Sequence, residues 1–446
     1  MKRYLPLALV VFTFLLLAGC ASHRYPYLNK NLGSESWMRS VDADPNQWAR
    51  GADNWFMTGD PNATELADRN APYAAAISTM AVRVPEFANI KSNGDFQVQL
   101  FGTYGPNSVY VYGPNNAVRS VIVEVRGNTL CITMAKNAPR NIRKVIIRIG
   151  VNQLNNLVQL GCGPIEGIQL HSNRLFVTSA GKGNIYLAGP MNLARVLATS
   201  SGSVSVFGAR TPMLDIKTGG AATVNVGGNI GIRSITHHGI GNINIIGANT
   251  DGLRIYADGR GKIGIRGHVN LRTVKARDKT CVYVCNVNSR SLYTWVSDDA
   301  RVGLAGSAEN LYVDTTKRSR FEGHTLCAAN AFVRAHDASH INVTASNKIF
   351  AAATENGSVY FFGSPNLMSQ FVSGLGVVIP IWSDNAAICP VVNLAPYSYK
   401  GENIPYKGDY SSYYPNTPTS YQHKESGLPH SQFKWVNRKL VGAGQG

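Results

Sequence analysis

One phrase decides the fold of this chain: Gly241-Asn242-Ile243-Asn244-Ile245-Ile246-Gly247. Polar and apolar residues alternate in it between two glycines, which is typical of a β-strand with one buried face. Further copies, some of them degenerate, recur about every 20 residues, which is the period of a solenoid. They stand at 183–189, 202–208, 223–227, 261–267, 281–285, 301–306, 340–344 and 357–363.

A second apolar alternation lies between the copies, as at 253–257, 292–296 and 311–313. Each repeat therefore predicts two short strands and two turns, and one such unit cannot bury its own apolar face. Stacked units can. We predict an all-β chain built on a parallel β-solenoid (β-helix) with coils of about 20 residues, flanked by an irregular N-terminal tether and a C-terminal tail. The residues expected to point inward are Ile243, Ile245, Val282, Val284, Val302, Leu304, Val359 and Phe361.

The chain is long and basic. It has 446 residues, 44% of them hydrophobic, and a formal net charge of +17. That length and content allow a sizeable core. The charge favours acidic partners, and we expect an anionic glycan or lipopolysaccharide, with no nucleic acid. Because Lys and Arg are scattered rather than clustered, a diffuse basic surface without a ligand is the alternative.

The N-terminus predicts export. Lys2 and Arg3 precede an apolar run at 5–17, which is typical of a signal peptide. The following Leu17-Ala18-Gly19-Cys20 resembles the lipobox of bacterial lipoproteins. The resemblance implies that Cys20 carries diacylglycerol and an N-acyl chain such as palmitate, with no other cofactor; an ordinary signal with a chance cysteine is the alternative. Ala21, where Asp would favour the inner membrane, favours an outer-membrane anchor, on the periplasmic side rather than the cell surface.

Composition divides the mature chain into four parts after the signal at 1–20. We predict a tether at 21–86, the solenoid at 87–366, an apolar cap at 367–390 and a Tyr/Pro-rich tail at 391–446. The tail is expected to be disordered alone, and either orders on a partner or stays disordered. Its candidate docking residues are Tyr397, Tyr399, Tyr406, Tyr410, Tyr413, Tyr414 and Tyr421.

Four stretches carry a family resemblance. They are Phe87-Ala88-Asn89-Ile90, Phe96-Gln97-Val98-Gln99-Leu100, Gly127-Asn128-Thr129-Leu130-Cys131-Ile132 and the apolar run at 145–151, ahead of the glycine-rich coils. Together they resemble the head GIN domain of autotransporter adhesins. The resemblance implies a right-handed β-solenoid on cell-envelope proteins and supplies no agreed catalytic residues.

The outward residues of the repeat phrase predict a flat binding face. We expect protein or glycan contact there, with the aromatic residues as anchors. The alternative is that these side chains only form ladders with their own neighbours on the sheet surface. The predicted face consists of Tyr186, Phe207, Asn225, Asn244, Arg266, Tyr283, Asn342, Tyr360 and Phe362.

No pattern for catalysis or metal binding stands out. Glycoside cleavage needs facing carboxylates, whereas Asp298-Asp299, Glu322 and Asp337 are sparse and more typical of turns. The histidines are expected at the surface or in turns. The cysteines Cys131, Cys162, Cys281, Cys285, Cys327 and Cys389 are even in number, which permits disulfides after export. Cys281 and Cys285 are expected to face outward.

Three hypotheses about function follow. The first is a non-catalytic outer-membrane lipoprotein whose solenoid is a scaffold or binding platform among other envelope proteins, for instance in the outer-membrane core of a type IV (Dot/Icm-like) secretion system. The second is an adhesin head on the cell surface. The third, which the sparse carboxylates disfavour, is a glycan-acting enzyme of the β-helix type.

Overall fold

The computed structural model of the chain describes residues 77–381 and two short strands nearer the C-terminus. The predicted lipidation site Cys20, the tether up to residue 76, the tail tyrosines and Cys389 lie outside the described residues. In the described part, no helix is both long enough and apolar enough to cross a membrane.

Strands form nearly all of the regular structure, with a short α-helix, α1 (Asn115–Val118), and a 3-10 helix at Arg140–Lys144. The strands of the described part are β1 (Ile77–Val82), β2 (Asn89–Asn93), β3 (Gln97–Gly102), β4 (Ser108–Pro114), β5 (Val121–Arg126), β6 (Thr129–Met134), β7 (Ile146–Val151), β8 (Asn156–Gln159), β9 (Ile165–Ile168), β10 (Ser172–Ser179), β11 (Ile185–Ala188), β12 (Met191–Ala198), β13 (Ser203–Gly220), β14 (Thr223–Gly239), β15 (Asn242–Gly259), β16 (Lys262–Ala276), β17 (Cys281–Val296), β18 (Arg301–Thr315), β19 (Arg320–Ala335), β20 (His340–Ala353), β21 (Ser358–Phe362), β22 (Leu367–Val372), β23 (Val377–Ile381), β24 (Phe433–Val436) and β25 (Lys439–Gly442).

These strands build a β-solenoid of about 12 turns of roughly 19-residue coils, which confirms the predicted fold class. Each of β13 to β20 runs through one whole coil and pairs in parallel with the next, so that Ile243 lies opposite Val224 and Ile263. A bend divides every coil into two flat sides, and in β15 it falls at Gly247, whose φ is 80°. We call the outward side before the bend face 1 and the outward side after it face 2.

The core is a continuous column of aliphatic side chains between the two sides. All eight residues predicted to point inward are buried; Ile243 and Val359, for example, are 0% exposed. Burying a side chain of this size contributes roughly 1.5–3 kcal/mol. The repeated burial explains why coils with little sequence in common stack in one register.

From Gly220 onwards, the second corner of the coils is held by a residue with left-handed backbone. Asp278 has φ 60° and Asp298 φ 64°. Short polar side chains tolerate this conformation because they bond locally. The Gly259 amide donates to Asp278 Oδ2 at 3.0 Å, and the Asp278 amide donates to Asp298 Oδ2 at 3.3 Å. The corner carboxylates therefore join successive coils, in agreement with the expected turn-forming role of Asp298.

The N-terminal end of the solenoid is closed by antiparallel strands. On one side of the first coil β4 pairs antiparallel with β7, and β1 covers β4. On the other side β5 pairs antiparallel with β6. Helix α1 links β4 to β5, with its residues Ala117 and Val118 buried. Both open edges of the first coil are thus covered.

The C-terminal end differs from the predicted cap at 367–390. There β22 pairs in parallel with β20 and β23 pairs in parallel with β21, so 367–381 adds another parallel coil. The remaining residues of the predicted cap, 382–390, lie outside the described residues. Apolar alternation is the same in a coil strand and in a covering strand, so composition did not separate them. The exposed large apolar residues of this coil are Leu367, Met368, Phe371, Val372, Leu375, Val377 and Ile379.

Candidate functional site

Face 1 brings most of the predicted binding residues into one column. Tyr186, Asn225, Asn244, Tyr283, Asn342 and Tyr360 share the outward position between two inward residues. Their amides are used between coils: Asn244 Nδ2 donates to Asn225 Oδ1 at 2.9 Å, and Asn342 Nδ2 donates to Glu322 Oε2 at 2.6 Å. In these contacts the side chains bond to their own neighbours in the next coil, which is the alternative to a binding role.

Three residues of the predicted face fall outside this column. Phe207, Arg266 and Phe362 stand two positions further on, where the coil turns towards the bend. Phe207 and Arg266 are each only 5% exposed, so the prediction that they line a surface was wrong. The ring of Phe207 packs on Tyr186, with the ring centroids 5.5 Å apart. The repeat phrase has two outward positions, and the prediction assigned the residues of both positions to one exposed column.

The buried cysteines and histidines also correct the sequence interpretation. Cys281 and Cys285 are 4% and 3% exposed, although they occupy outward positions, and none of the described cysteines forms a disulfide. His237 and His268, expected at the surface or in turns, are buried in strands, at 1% and 7% exposure. Burial lowers the pKa of His237, and it lowers the pKa of His268 to about 4, so both rings are neutral near pH 7.

Face 2 carries the most exposed aromatic surface of the coils. Tyr293, Tyr312, Phe332 and Phe350 occupy the same position in four successive coils. Their ring centroids are 4.6, 4.9 and 5.0 Å apart, and the planes lie within 9° of parallel. We call these four residues the aromatic ladder. Stacked rings hold one another in place, so the ladder is a rigid surface feature.

A second outward column runs beside the ladder, two residues further along each strand. It contains Lys275, Trp295, Asp314, Arg334, Ala352 and Phe371. A groove of about 550 Å³ lies between the two columns and is lined mainly by their aromatic and aliphatic side chains. A neighbouring groove of about 510 Å³ shares Trp295 and Asp314 with it and extends towards His238.

The second column gives the groove a polar wall. Arg334 Nη2 and Asp314 form an ion pair at 2.5 Å. Lys275 Nζ lies 4.9 Å from the ring centroid of Trp295, close enough for a cation–π contact, and it forms no ion pair with any described residue. Lys275 lines the neighbouring groove, together with Asp258 and Asp314. Exposed rings and a cation without an ion pair to a described residue therefore adjoin one another along face 2.

Basic residues continue along face 2 towards the N-terminal end. Exposed Arg195, Lys217 and Arg254 occupy the same two columns. The acidic residue nearest to them there is Asp215, which already pairs with Arg233 and whose pKa is lowered by hydrogen bonds from Arg233 and Ser234 against the opposing effect of burial. Face 2 is therefore aromatic at one end and basic at the other.

The described residues hold no group of three or more His, Cys, Asp or Glu that could bind a metal ion. Asp314 is the carboxylate that lines the larger groove, and it is paired with Arg334. The neighbouring groove also contains Asp258, which is paired with Arg277. Glycoside cleavage by two facing carboxylates has no support from this arrangement. The geometry suits binding.

The second alternation predicted strands, but its outward residues were not predicted to form a site. The signal was present in the spacing of Tyr293, Tyr312, Phe332 and Phe350, which differ by 19, 20 and 18 positions. Because coil length varies, these residues align only once the register between coils is known.

Comparison with known proteins finds a family model and solved structures that are similar to this chain. The family model described as "Putative auto-transporter adhesin, head GIN domain" matches residues 86–286 and, overlapping, 267–365. A "putative adhesin" from Bacteroides fragilis is 18% identical, with 69% of this chain and 97% of that chain covered and a TM-score of 0.24. A "putative lipid binding protein" from Parabacteroides distasonis is 14% identical, with 69% and 97% covered and a TM-score of 0.23. No curated protein matches the chain.

Proposed function

Because the chain belongs to the head GIN domain family of auto-transporter adhesins, we propose that it is a non-catalytic, adhesin-like binding head on the cell envelope. Family membership supports this role better than the scaffold role in a secretion assembly. The lipobox at Cys20 supports a lipid anchor in the outer membrane, and an adhesin-like role favours exposure at the cell surface over the periplasmic side expected from sequence.

The observation that carries the proposal is the exposed aromatic surface of face 2. Tyr293 and Trp295 are 40% and 41% exposed, in the middle of a stack that is otherwise well packed. Aromatic side chains left at a surface in a rigid arrangement supply large contact area at low entropic cost, which is why they are frequent binding anchors. The solenoid holds these rings in a fixed spacing, so a ligand meets a preformed surface.

The binding role is tested with labelled, purified mature protein applied to the surfaces of intact cells and extracellular matrix. The double variant Tyr293→Ala/Tyr312→Ala removes two of the four rings of the ladder, including the exposed Tyr293. Tyr360→Ala, on face 1, is the matched control. We expect at least a tenfold loss of binding for the double variant and an unchanged value for the control. Equal binding by all three proteins would show that face 2 is not the binding surface.

The anchor is tested separately by cell fractionation. Changing Cys20 to Ser should release the protein from membranes, because lipidation needs the thiol. Continued sedimentation of the variant with the outer membrane after a salt wash would show that another part of the chain holds it there.

A further inference from the structure

We propose that the groove of face 2 binds an acidic polysaccharide, and that one sugar ring of it stacks on Phe350 as the next member of the aromatic ladder. This inference rests on the proposed function, since it assumes that face 2 is the binding surface. It adds the chemical class of the ligand and the place where one of its rings sits.

The ladder ends one ring short of the solenoid. The residue that follows Phe350 in its column is Ser369, an exposed side chain much smaller than a ring. One face of Phe350 is therefore not covered by a ring of the next coil. Beside this place stands Phe371, which is 61% exposed and lines the same groove. Among the described residues, this leaves a slot over Ser369, bordered by Phe350 and Phe371, at the C-terminal end of the groove.

A sugar ring fits this slot in shape and in polarity. Its C–H face packs on an aromatic ring, while its hydroxyls need hydrogen-bonding partners at the ring edge. The hydroxyls of Tyr293 and Tyr312 make no hydrogen bond with the described residues, and the Asp314–Arg334 pair lies across the groove from the ladder. A purely apolar ligand would leave these polar groups without partners, which is unfavourable.

The charge of face 2 indicates that the polysaccharide is acidic. Lys275 in the neighbouring groove, and Lys217 and Arg254 further along the same columns, are exposed. Carboxylate or sulfate groups on a sugar chain would pair with these cations, and the field they create attracts an anionic polymer before contact. A chain lying along the solenoid axis would contact the aromatic end and the basic end together.

Single-stranded nucleic acid is the competing anionic polymer. Its binding sites offer a separate exposed ring face to each successive base. In the aromatic ladder the faces of the inner rings are occupied by one another, at centroid distances of 4.6 to 5.0 Å, so successive bases have no free faces to stack on. The ladder has open faces only at its ends, where Tyr293 adjoins Thr273 and Phe350 adjoins Ser369. The open face at Phe350 suits one ring of a polymer whose other units are held by charge.

The test measures binding of the purified mature protein to three immobilised polymers: polygalacturonate, neutral dextran and single-stranded DNA of mixed sequence. We expect polygalacturonate to bind at least tenfold more tightly than the other two, with an affinity that falls as salt is raised. Ser369→Trp fills the slot with a ring and should reduce polygalacturonate binding at least tenfold, whereas Ser369→Ala should not change it. Phe371→Ala removes the other wall and provides a second variant if Ser369→Trp fails to fold.

Lys275→Gln tests the charge term, with Lys262→Gln on face 1 as its matched control. The first should lower the affinity several-fold and flatten its salt dependence, and the second should leave both unchanged. Tighter binding to DNA, equal binding to dextran, or wild-type affinity in Ser369→Trp would each overturn the inference. If the double tyrosine variant loses adhesion to cells while polygalacturonate does not bind, the ligand class is wrong and the proposed function stands.

Discussion

The two ends of the described solenoid differ in how the edges of the terminal coil are covered. At the N-terminal end antiparallel strands cover both edges of the first coil, and Val111 in β4 is 0% exposed between β1 and β7. At the C-terminal end the last described coil continues the parallel stack, and Leu375 is 78% exposed. A solenoid coil is stabilised by its neighbours, and within the described residues this last coil has a neighbour on one side only, which makes it the weaker one.

The two ends differ in whether other strands cover the terminal coil, and not in the sequence pattern of that coil. The inward residue Val378 of the last coil packs on the core but stays partly exposed, while Val111 is fully enclosed. An unpaired strand edge also offers hydrogen-bonding groups to other chains. We therefore expect unfolding to begin at the C-terminal coil and the N-terminal coils to be the last to open.

The largest expected effect comes from a charge placed inside the closed end. Val111→Asp buries a carboxylate without a partner and should lower the free energy of unfolding by several kcal/mol, on the order of 4. The matched change Val378→Asp should cost less than half as much, because its carboxylate reaches water at the open end. Urea denaturation followed by circular dichroism measures both. Equal costs would mean that the C-terminal end is as well enclosed as the other.

Acid should weaken the coils between the two ends. The pKa of His268 is lowered from 6.5 to about 4 by burial, so the unfolded chain takes up a proton at a higher pH than the folded one. Stability is then fully present above pH 6.5 and is lost as the pH falls towards 4, by about 3 kcal/mol for this residue. The pKa values of His237 and His340 are also lowered, mainly by burial, and act in the same direction.

His268→Gln isolates this contribution. The variant should have a flatter dependence of the free energy of unfolding on pH between 6.5 and 4 than the wild-type protein. Hydrogen exchange at the two pH values should show the extra opening in the central coils and not at β4. An unchanged pH dependence would show that His268 is not held neutral by its surroundings.

The smallest expected effects are those of two variants in which a valine side chain is shortened. Val118→Ala, in the buried helix α1, removes two methyl groups from an enclosed site and should cost about 2 kcal/mol. Val372→Ala, in β22, changes a side chain that is 47% exposed and should cost less than about 0.5 kcal/mol. The melting temperatures of the two variants show which of them loses more stability. A larger loss at Val372 would contradict the comparison of the ends.

Period-two alternation was enough to predict the coils and their inward residues. Burial selects apolar residues at every second position, so Ile243 and Ile245 carry their orientation in the sequence. The N-terminal closure was not predicted from the sequence. Alternation reports that one side of a strand is buried and says nothing about the direction of its partner.

The candidate site was harder to predict because it depends on register. Arg266 and Tyr283 read alike as outward residues, but one lies at the turn and is buried, while the other faces out. Likewise the ladder residues Tyr312 and Phe332 become neighbours only through pairing between coils. Small changes in coil length shift such alignments, and only the paired backbone fixes them.

The pairing between coils also sets how the protein responds to mechanical load. Hydrogen bonds between successive coils point along the solenoid axis, so a pull between the two ends loads the bonds of the last coil before those behind it. The chain would yield by unzipping, one coil at a time, from the C-terminal end. Each roughly 19-residue coil released would add about 60 Å of extended chain. A head that lengthens in steps of this kind would hold a bound surface under flow while dissipating the force that acts on it.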